Sequence, residues 1–215
     1  MSAASGDDAT ILVTAVEEAE GARAAAAALA CAGADVERSA LLIDVGGRAP
    51  RPTLLAAAPA QRLEERLAGH LPQARVAARG QVCHLAVAAE PEGLEQAAAA
   101  VTVARGSLAV VHLPPEQLQP ALDSSGLSPT GVLLRANVAA SRALLALLVR
   151  DLLSRGLDVA VLKQRLGWVV ERRALFGALP ADASGCVPEF LTRRLLGAMS
   201  PAFPISGKGN AGLVS

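Results

Sequence analysis

Polar side chains follow two apolar runs of this sequence, at the points where buried strands are expected to end. Asp44 closes the run 41–43, and His112 follows the run 108–111. Arg23 lies where a turn containing a glycine passes into an alanine-rich helix. A carboxylate at such a place can serve as a pocket acid, an imidazole as a general base or ligand, and an arginine can hold an anion at a helix start. These three residues are the first candidates for chemistry.

Each of the three residues also has a purely structural interpretation. Asp44 can instead cap its own loop through backbone hydrogen bonds, as aspartates do after strands. Arg23 can be a solvated surface side chain, and His112 can be a partly buried histidine that bonds to backbone. No serine or cysteine has a recognisable spacing to His112, and no Gly-x-Ser-x-Gly elbow is present, so no nucleophile is indicated.

The elements that must position these residues alternate between apolar runs and helical patterns. The run 11–14, the helix 22–32 and the run 41–45 form a βαβ unit with parallel strands. The ligand crevice of such a sheet lies at the carboxyl ends of its strands, so the turn 17–23 and the residues after Ile43 should face one pocket. Further strands are expected at 74–79, 82–88, 108–111, 132–134, 159–162 and 175–180, and further helices at 54–71, 94–105, 116–122, 139–155 and 187–199. The pattern predicts an α/β fold, a three-layer α/β/α sandwich with a mainly parallel sheet.

The composition excludes several classes of protein. Twenty basic and 20 acidic residues cancel, and only 2% of residues are aromatic, so we expect neither nucleic-acid binding nor base stacking. A local charged patch is not excluded by this balance. No uncharged run approaches the roughly 18–20 residues of a membrane span, and the apolar run near the start is too short for a signal peptide. We therefore expect a cytoplasmic protein without stable membrane insertion.

The cysteines indicate reduced thiols. Cys31, Cys83 and Cys186 are odd in number and far apart, which suits small buried side chains better than a disulfide framework. Cys83 and His84 have no second Cys/His pair that would complete four ligands, so no metal site is expected.

Five short segments follow one another in a characteristic order. Residues 17–23 read Glu-Glu-Ala-Glu-Gly-Ala-Arg, 43–46 read Ile-Asp-Val-Gly, 112–115 read His-Leu-Pro-Pro, 163–165 read Lys-Gln-Arg, and 177–182 read Gly-Ala-Leu-Pro-Ala-Asp. Their order and spacing resemble the MinD/ParA group of deviant-Walker P-loop ATPases, in particular its CpaE/TadZ branch, over about residues 10 to 199. That family has Lys-Gly-Gly-x-Gly-Lys-Thr, hydrophobic-Asp-x-Asp, Asp-x-Pro-Pro, Asn-Arg and Gly-x-x-Pro-x-Asp at the corresponding places.

The resemblance implies a vestigial nucleotide pocket. Its residues by the family pattern are Gly21, Ala22, Arg23, Asp44, His112, Lys163, Pro180 and Asp182, with Gln164 as the other choice for the adenine-reading position. A working phosphate loop needs several glycines, a lysine and a Ser/Thr hydroxyl, whereas this loop keeps one glycine and carries three glutamates. At about 4 Å and an effective dielectric near 20, one like-charge contact costs roughly 4 kcal/mol, against about 0.3–1 kcal/mol gained from the helix start. The sequence predicts a pseudo-ATPase that binds neither ATP nor Mg²⁺.

The resemblance also implies a role. We expect a non-catalytic scaffold, a homodimer with protein partners in an envelope machine such as a pilus or the division apparatus, placed at the septum or a cell pole. The leucines of helix 139–155 cover more than one of its faces, which can mark the dimer interface. One alternative is a nucleotide-dependent switch or weak ATPase that uses Arg23 and Asp44, and another is a Rossmann-like small-molecule binder. A single domain is expected at 10–199, between a disordered N-terminus, 1–9, and a flexible tail, 200–215.

Overall fold

The predicted alternation of strands and helices is present in the structure, a computed structural model that describes residues 9–16, 21–34, 38–47, 56–124, 126–136, 141–164, 169–171 and 174–179, with side chains up to residue 162. The acidic segment 17–20, Pro180, Asp182, the helix 187–199 and the tail 200–215 lie outside these residues. The strands are β1 (Ala9–Val16), β2 (Ala40–Val45), β3 (Arg75–Arg79), β4 (Val82–Val87), β5 (Leu108–Leu113), β6 (Gly131–Ala136), β7 (Asp158–Gln164), β8 (Val169–Glu171) and β9 (Ala174–Leu179). The helices are α1 (Ala22–Gly33), α2 (Ala58–His70), α3 (Pro91–Val103), α4 (Leu118–Asp123) and α5 (Arg142–Ser154), with a 3-10 turn, Pro115–Gln117, before α4.

Element ends differ from prediction where local capping decides them. Helix α5 begins at Arg142 because the Ser141 hydroxyl accepts a hydrogen bond from the Leu144 N–H, 3.4 Å away. It ends before Gly156, which has a φ of 81°, as the sequence predicted for its C-terminal cap. Strand β8 was not predicted, because its three residues are too few to show a period.

The nine strands form one sheet in the order β3-β4-β2-β5-β1-β6-β7-β9-β8. Every neighbouring pair is parallel except β3 with β4 and β8 with β9, so the two antiparallel strands are those at the edges. The expected edge strand at 74–79 is therefore confirmed, and so is the mainly parallel sheet.

Both faces of the sheet are buried, which confirms the three-layer arrangement. Helix α1 covers one face with a row of small side chains and Leu29, packed on β1 residues such as Ile11 and Val13. Helices α2 to α5 cover the other face, where Leu12, Leu85 and their neighbours are fully buried. Alanine on α1 lets the helix lie close to the sheet, and this brings its first turn near the strand ends. No described helix is long and apolar enough to cross a membrane.

The chain changes direction at β1. From β1 it passes through α1 to β2, on one side, and it later crosses from β5 to β6, the two strands that flank β1. In open α/β sheets ligands bind outside the carboxyl ends of the strands at such a switch point. The carboxyl ends of β1, β2, β5 and β6 are therefore where a functional site is expected.

Candidate functional site

Three of the predicted site residues form one cluster at this edge. Asp44, only 4% exposed, lies between Arg23 and His112. The Arg23 Nε is 2.9 Å from Asp44 Oδ2 and 3.1 Å from Oδ1, and the His112 Nδ1 is 2.8 Å from Oδ1. Both carboxylate oxygens are thus engaged by side chains of the same protein. We call this the Asp44 cluster.

The sheet register brings the three side chains together. Asp44 on β2 is paired with His112 on the neighbouring strand β5, so both side chains point to the same face of the sheet. Helix α1 covers that face, and its second residue is Arg23. Gly21 precedes α1 with a φ of 87°, a left-handed conformation that turns the chain from β1 into the helix. Arg23 therefore starts directly above the strand ends.

A glycine closes the cluster on its other side. A Cβ atom added to Gly47 would lie 2.1 Å from the Asp44 carboxylate, so the backbone here runs against the acid. The Gly47 N–H also bonds to the Asp44 main-chain carbonyl, at 3.3 Å. The carboxylate is enclosed by a cation, an imidazole and a bare stretch of backbone.

Arg135, at the carboxyl end of β6, is a site residue that sequence reasoning missed. Its side chain is buried, and its Nη1 donates to the carbonyls of Ala136 and Leu162, at 3.0 and 3.3 Å. Its Nε has no hydrogen-bond partner within the described chain, and it would lie 3.4 Å from a Cβ atom on Gly21. Burial lowers the pKa of Arg135. A charged group at the end of an apolar strand, as at Asp44, was the available signal.

His84 on β4, considered from the sequence only as part of a rejected metal site with Cys83, lies on the same face of the sheet as Asp44. Its Nε2 is buried without a hydrogen-bond partner in the described part of the chain. Burial lowers the pKa of His84, as do Arg23 and Arg79, while the negative charge of Asp44 opposes the shift.

Several sequence interpretations are now decided. The Arg23 side chain is 56% exposed, but it also forms an ion pair with the buried Asp44. It is therefore not simply a solvated surface residue. His112 is partly buried as expected, but its ring bonds to a carboxylate instead of backbone, because the register sets Asp44 opposite it. Cys83 is buried as predicted, whereas Cys31 is exposed, which corrects the prediction of buried thiols.

Of the other predicted site residues, Gly21 and Ala22 are fully described, and neither forms a hydrogen bond or an ion pair with Asp44 in the described part of the chain. Ala22 is buried in the first turn of α1, and Gly21 borders Arg135. Lys163 lies in β7, paired with Ala178 of β9, and its side chain is not among those described. Pro180 and Asp182 lie outside the described residues.

The chemistry open to this site is narrow. The charge of Asp44 is balanced by Arg23, and a metal ion or a water to be activated would have to displace one of its two partners. The described residues include no group of three or more His, Cys, Asp or Glu side chains that could hold a metal ion. Among the described residues, Arg135 is the buried cation, and its Nε has no hydrogen-bond partner there.

No protein-family model matches the sequence, and no curated protein does. The chain is similar to a solved structure described as a ParA family ATPase from Chlorobium tepidum TLS, with 13% identity, 94% of each chain covered and a TM-score of 0.49. Likeness at this level does not establish the family.

Proposed function

We propose that this chain is a non-catalytic scaffold of the MinD/ParA type, in which an internal ion pair has replaced the nucleotide pocket. It acts through protein partners, as part of a cytoplasmic assembly that positions or builds an envelope machine such as a pilus or the septum. The order of the sequence landmarks supports the type, and the site at the carboxyl edge of a mainly parallel sheet is consistent with it.

The observation that carries the loss of catalysis is the state of Asp44. Catalysis of phosphoryl transfer rests on positioning and on charge stabilisation by metal ions and cations. Here the buried acid has both oxygens on Arg23 and His112, and the cation at the helix start is turned toward that acid. Asp44 is therefore not available to Mg²⁺ unless the cluster opens, and the Nε of Arg23 is already bonded to it.

The proposed dimer has support on α5. Leu144 is 46% exposed and Leu147 is 55% exposed, and they are the large apolar side chains that the described surface leaves most open to water. They lie on the side of α5 opposite Leu145, Val149 and Leu152, which pack into the core. An apolar stripe on a helix whose other face is already buried suits a contact with a second copy.

Thermal melting with and without nucleotide tests the loss of nucleotide binding. At about 1 mM MgATP, MgADP or MgGTP, a Kd near 100 μM would stabilise the protein by roughly 1.4 kcal/mol and raise Tm by about 3–5 °C. We expect no stabilisation that depends on Mg²⁺, judged against the same nucleotides with EDTA. A Mg²⁺-dependent shift that Asp44→Asn abolishes would refute the proposal.

A second candidate function, a phosphate-dependent switch, is favoured by Arg135 alone. Its guanidinium lies beside the start of α1, where backbone N–H groups and the helix dipole attract anions. A nucleotide that stabilises the protein and loses this effect in Arg135→Lys, while Asp44→Asn leaves it intact, would support the switch over the scaffold. The lysine keeps the charge and removes the planar donor, so a general effect of charge is separated from binding.

A further inference from the structure

A cleft rich in arginine lies at the amino ends of the strands, whereas the Asp44 cluster lies at their carboxyl ends. It is a cavity of about 220 Å³ lined by Arg38, Arg62, Arg66 and Arg105, together with Ser39 and Ser107. We call it the arginine cleft. Ser39 and Ser107 precede β2 and β5, so the cleft is at the amino ends of the strands, about 17 Å along β2 from Asp44.

Four elements bring the lining residues of the cleft together. Ala40 of β2 pairs with Leu108 of β5, which sets Ser39 and Ser107 side by side. Arg62 and Arg66 are four residues apart on α2 and therefore share one face of that helix. The Arg66 Nη2 donates to the carbonyl of Val103 at the end of α3, which fixes α2 against the turn that carries Arg105.

Positive charge is concentrated in the cleft. Four guanidinium groups line it, and no carboxylate is among its lining residues in the described structure. Arg62 and Arg105 are exposed, and within the described chain neither forms a hydrogen bond or an ion pair. The whole protein has no net charge, so this is a local field and not a basic background. Like charges held together in this way favour an anion between them.

We propose that the arginine cleft binds a small anion with one or two phosphate groups. Planar guanidinium groups match phosphate oxygens in pairs, and the two serine hydroxyls add neutral donors. The first turn of α2, which contains Pro59, also borders the cleft, and a helix start favours negative charge. The volume suits one or two phosphate groups and is below that of typical sites for larger ligands. No aromatic side chain lines the cleft to stack a base.

This inference does not rest on the proposed function. The arginine cleft and the Asp44 cluster lie at opposite ends of the strands and share no residue. Binding in the arginine cleft requires no Mg²⁺, and Asp44→Asn should leave it unchanged. The two ideas can therefore fail separately.

The test is calorimetric titration of the full chain with inorganic pyrophosphate, at constant ionic strength set with chloride. The test variant is Arg62→Gln with Arg105→Gln, and the matched control is Arg142→Gln with Arg150→Gln, which removes two exposed arginines from α5. Loss of charged hydrogen bonds in the cleft should raise the Kd for pyrophosphate by about tenfold or more, while the control keeps the original Kd. Circular dichroism of each variant verifies that it is folded.

Two further titrations identify which part of a ligand the cleft recognises. ADP without Mg²⁺ should bind within about threefold of pyrophosphate, because only the phosphate groups are contacted. A single-stranded oligonucleotide should bind no more tightly than its phosphates alone would allow. Absence of pyrophosphate binding, equal binding by the cleft variant, or equal weakening in the α5 control would each overturn the proposal. A strong preference for ADP or for the oligonucleotide over pyrophosphate would overturn it as well.

Discussion

The two partners of the Arg23–Asp44 ion pair differ in burial. Removing Arg23 and removing Asp44 should therefore lower the stability of the protein by different amounts. The Arg23 side chain is 56% exposed, whereas Asp44 is 4% exposed. Replacing Arg23 by Gln leaves a buried carboxylate with His112 as its remaining described side-chain partner. Replacing Asp44 by Asn leaves a guanidinium that water can solvate, and the amide oxygen can still accept from His112.

The expected free energies follow from which group is left unpaired. A hydrogen bond to a charged group contributes about 1.5–3 kcal/mol, so Arg23→Gln should lower the free energy of unfolding by about 2 kcal/mol. Asp44→Asn should lower it by about 1 kcal/mol, since pairs with an exposed partner contribute at most about that much. For a chain of this size these values correspond to Tm losses of about 4–8 °C and about 2–4 °C.

Urea denaturation followed by circular dichroism measures both variants and the double variant. The double variant should cost less than the sum of the two, because the second change removes a group that the first had left unpaired. Arg142→Gln, an exposed arginine on α5, is the control and should change stability by less than about 0.5 kcal/mol. If Asp44→Asn is at least as destabilising as Arg23→Gln, the assignment of the buried acid as the costly member is wrong.

Four other perturbations follow from the structure. Gly47→Ala places a Cβ atom 2.1 Å from the buried carboxylate, so urea denaturation should show a loss of about 2 kcal/mol. Burial lowers the pKa of His84, so as pH falls below about 6.5 the unfolded chain takes up this proton before the folded chain does. The free energy of unfolding should therefore decrease in that range. His84→Leu should remove this part of the difference between the urea midpoints at high and low pH. Burial raises the pKa of Cys83 to about 12, so mass mapping should find this thiol unlabelled by a disulfide reagent until urea is added. Light scattering should find that Leu147→Glu shifts the proposed dimer to monomer, whereas Ala99→Glu, on an exposed position of α3, does not.

The sequence was sufficient for the fold where periodicity is strong. Continuous apolar runs such as β5 and β6, and the alanine-rich α1, predicted the parallel sheet and its covering helices. Strand order was not predictable, because every central strand has the same apolar composition and nothing in β2 specifies β5 as its neighbour. The short antiparallel β8 also gave no periodic signal.

The sequence was sufficient to predict where the Asp44 cluster lies in the fold but not which contacts its residues make. The rule that strand ends face the ligand crevice correctly marked Asp44, Arg23 and His112 for the same edge. Their mutual bonds depend on the register between β2 and β5, which pairs Asp44 with His112 and which no local pattern encodes. Arg135 was overlooked although it also follows an apolar run, because its position against Gly21, more than a hundred positions earlier, depends on the folded structure.

The position of β5 between β2 and β1 has a consequence for synthesis on the ribosome. Ile11 pairs with Val110 and Gly131, so β1 has no partner strand until roughly a hundred further residues have been made. Until then β2, β3 and β4 can pair with one another, but the nascent chain must carry β1 and the alanine-rich helix α1 without the strands that flank β1. Folding is then dominated by contacts distant in sequence, which are slow to form and leave apolar segments open to aggregation meanwhile. We expect this protein to depend on chaperones during its production more than its small size suggests.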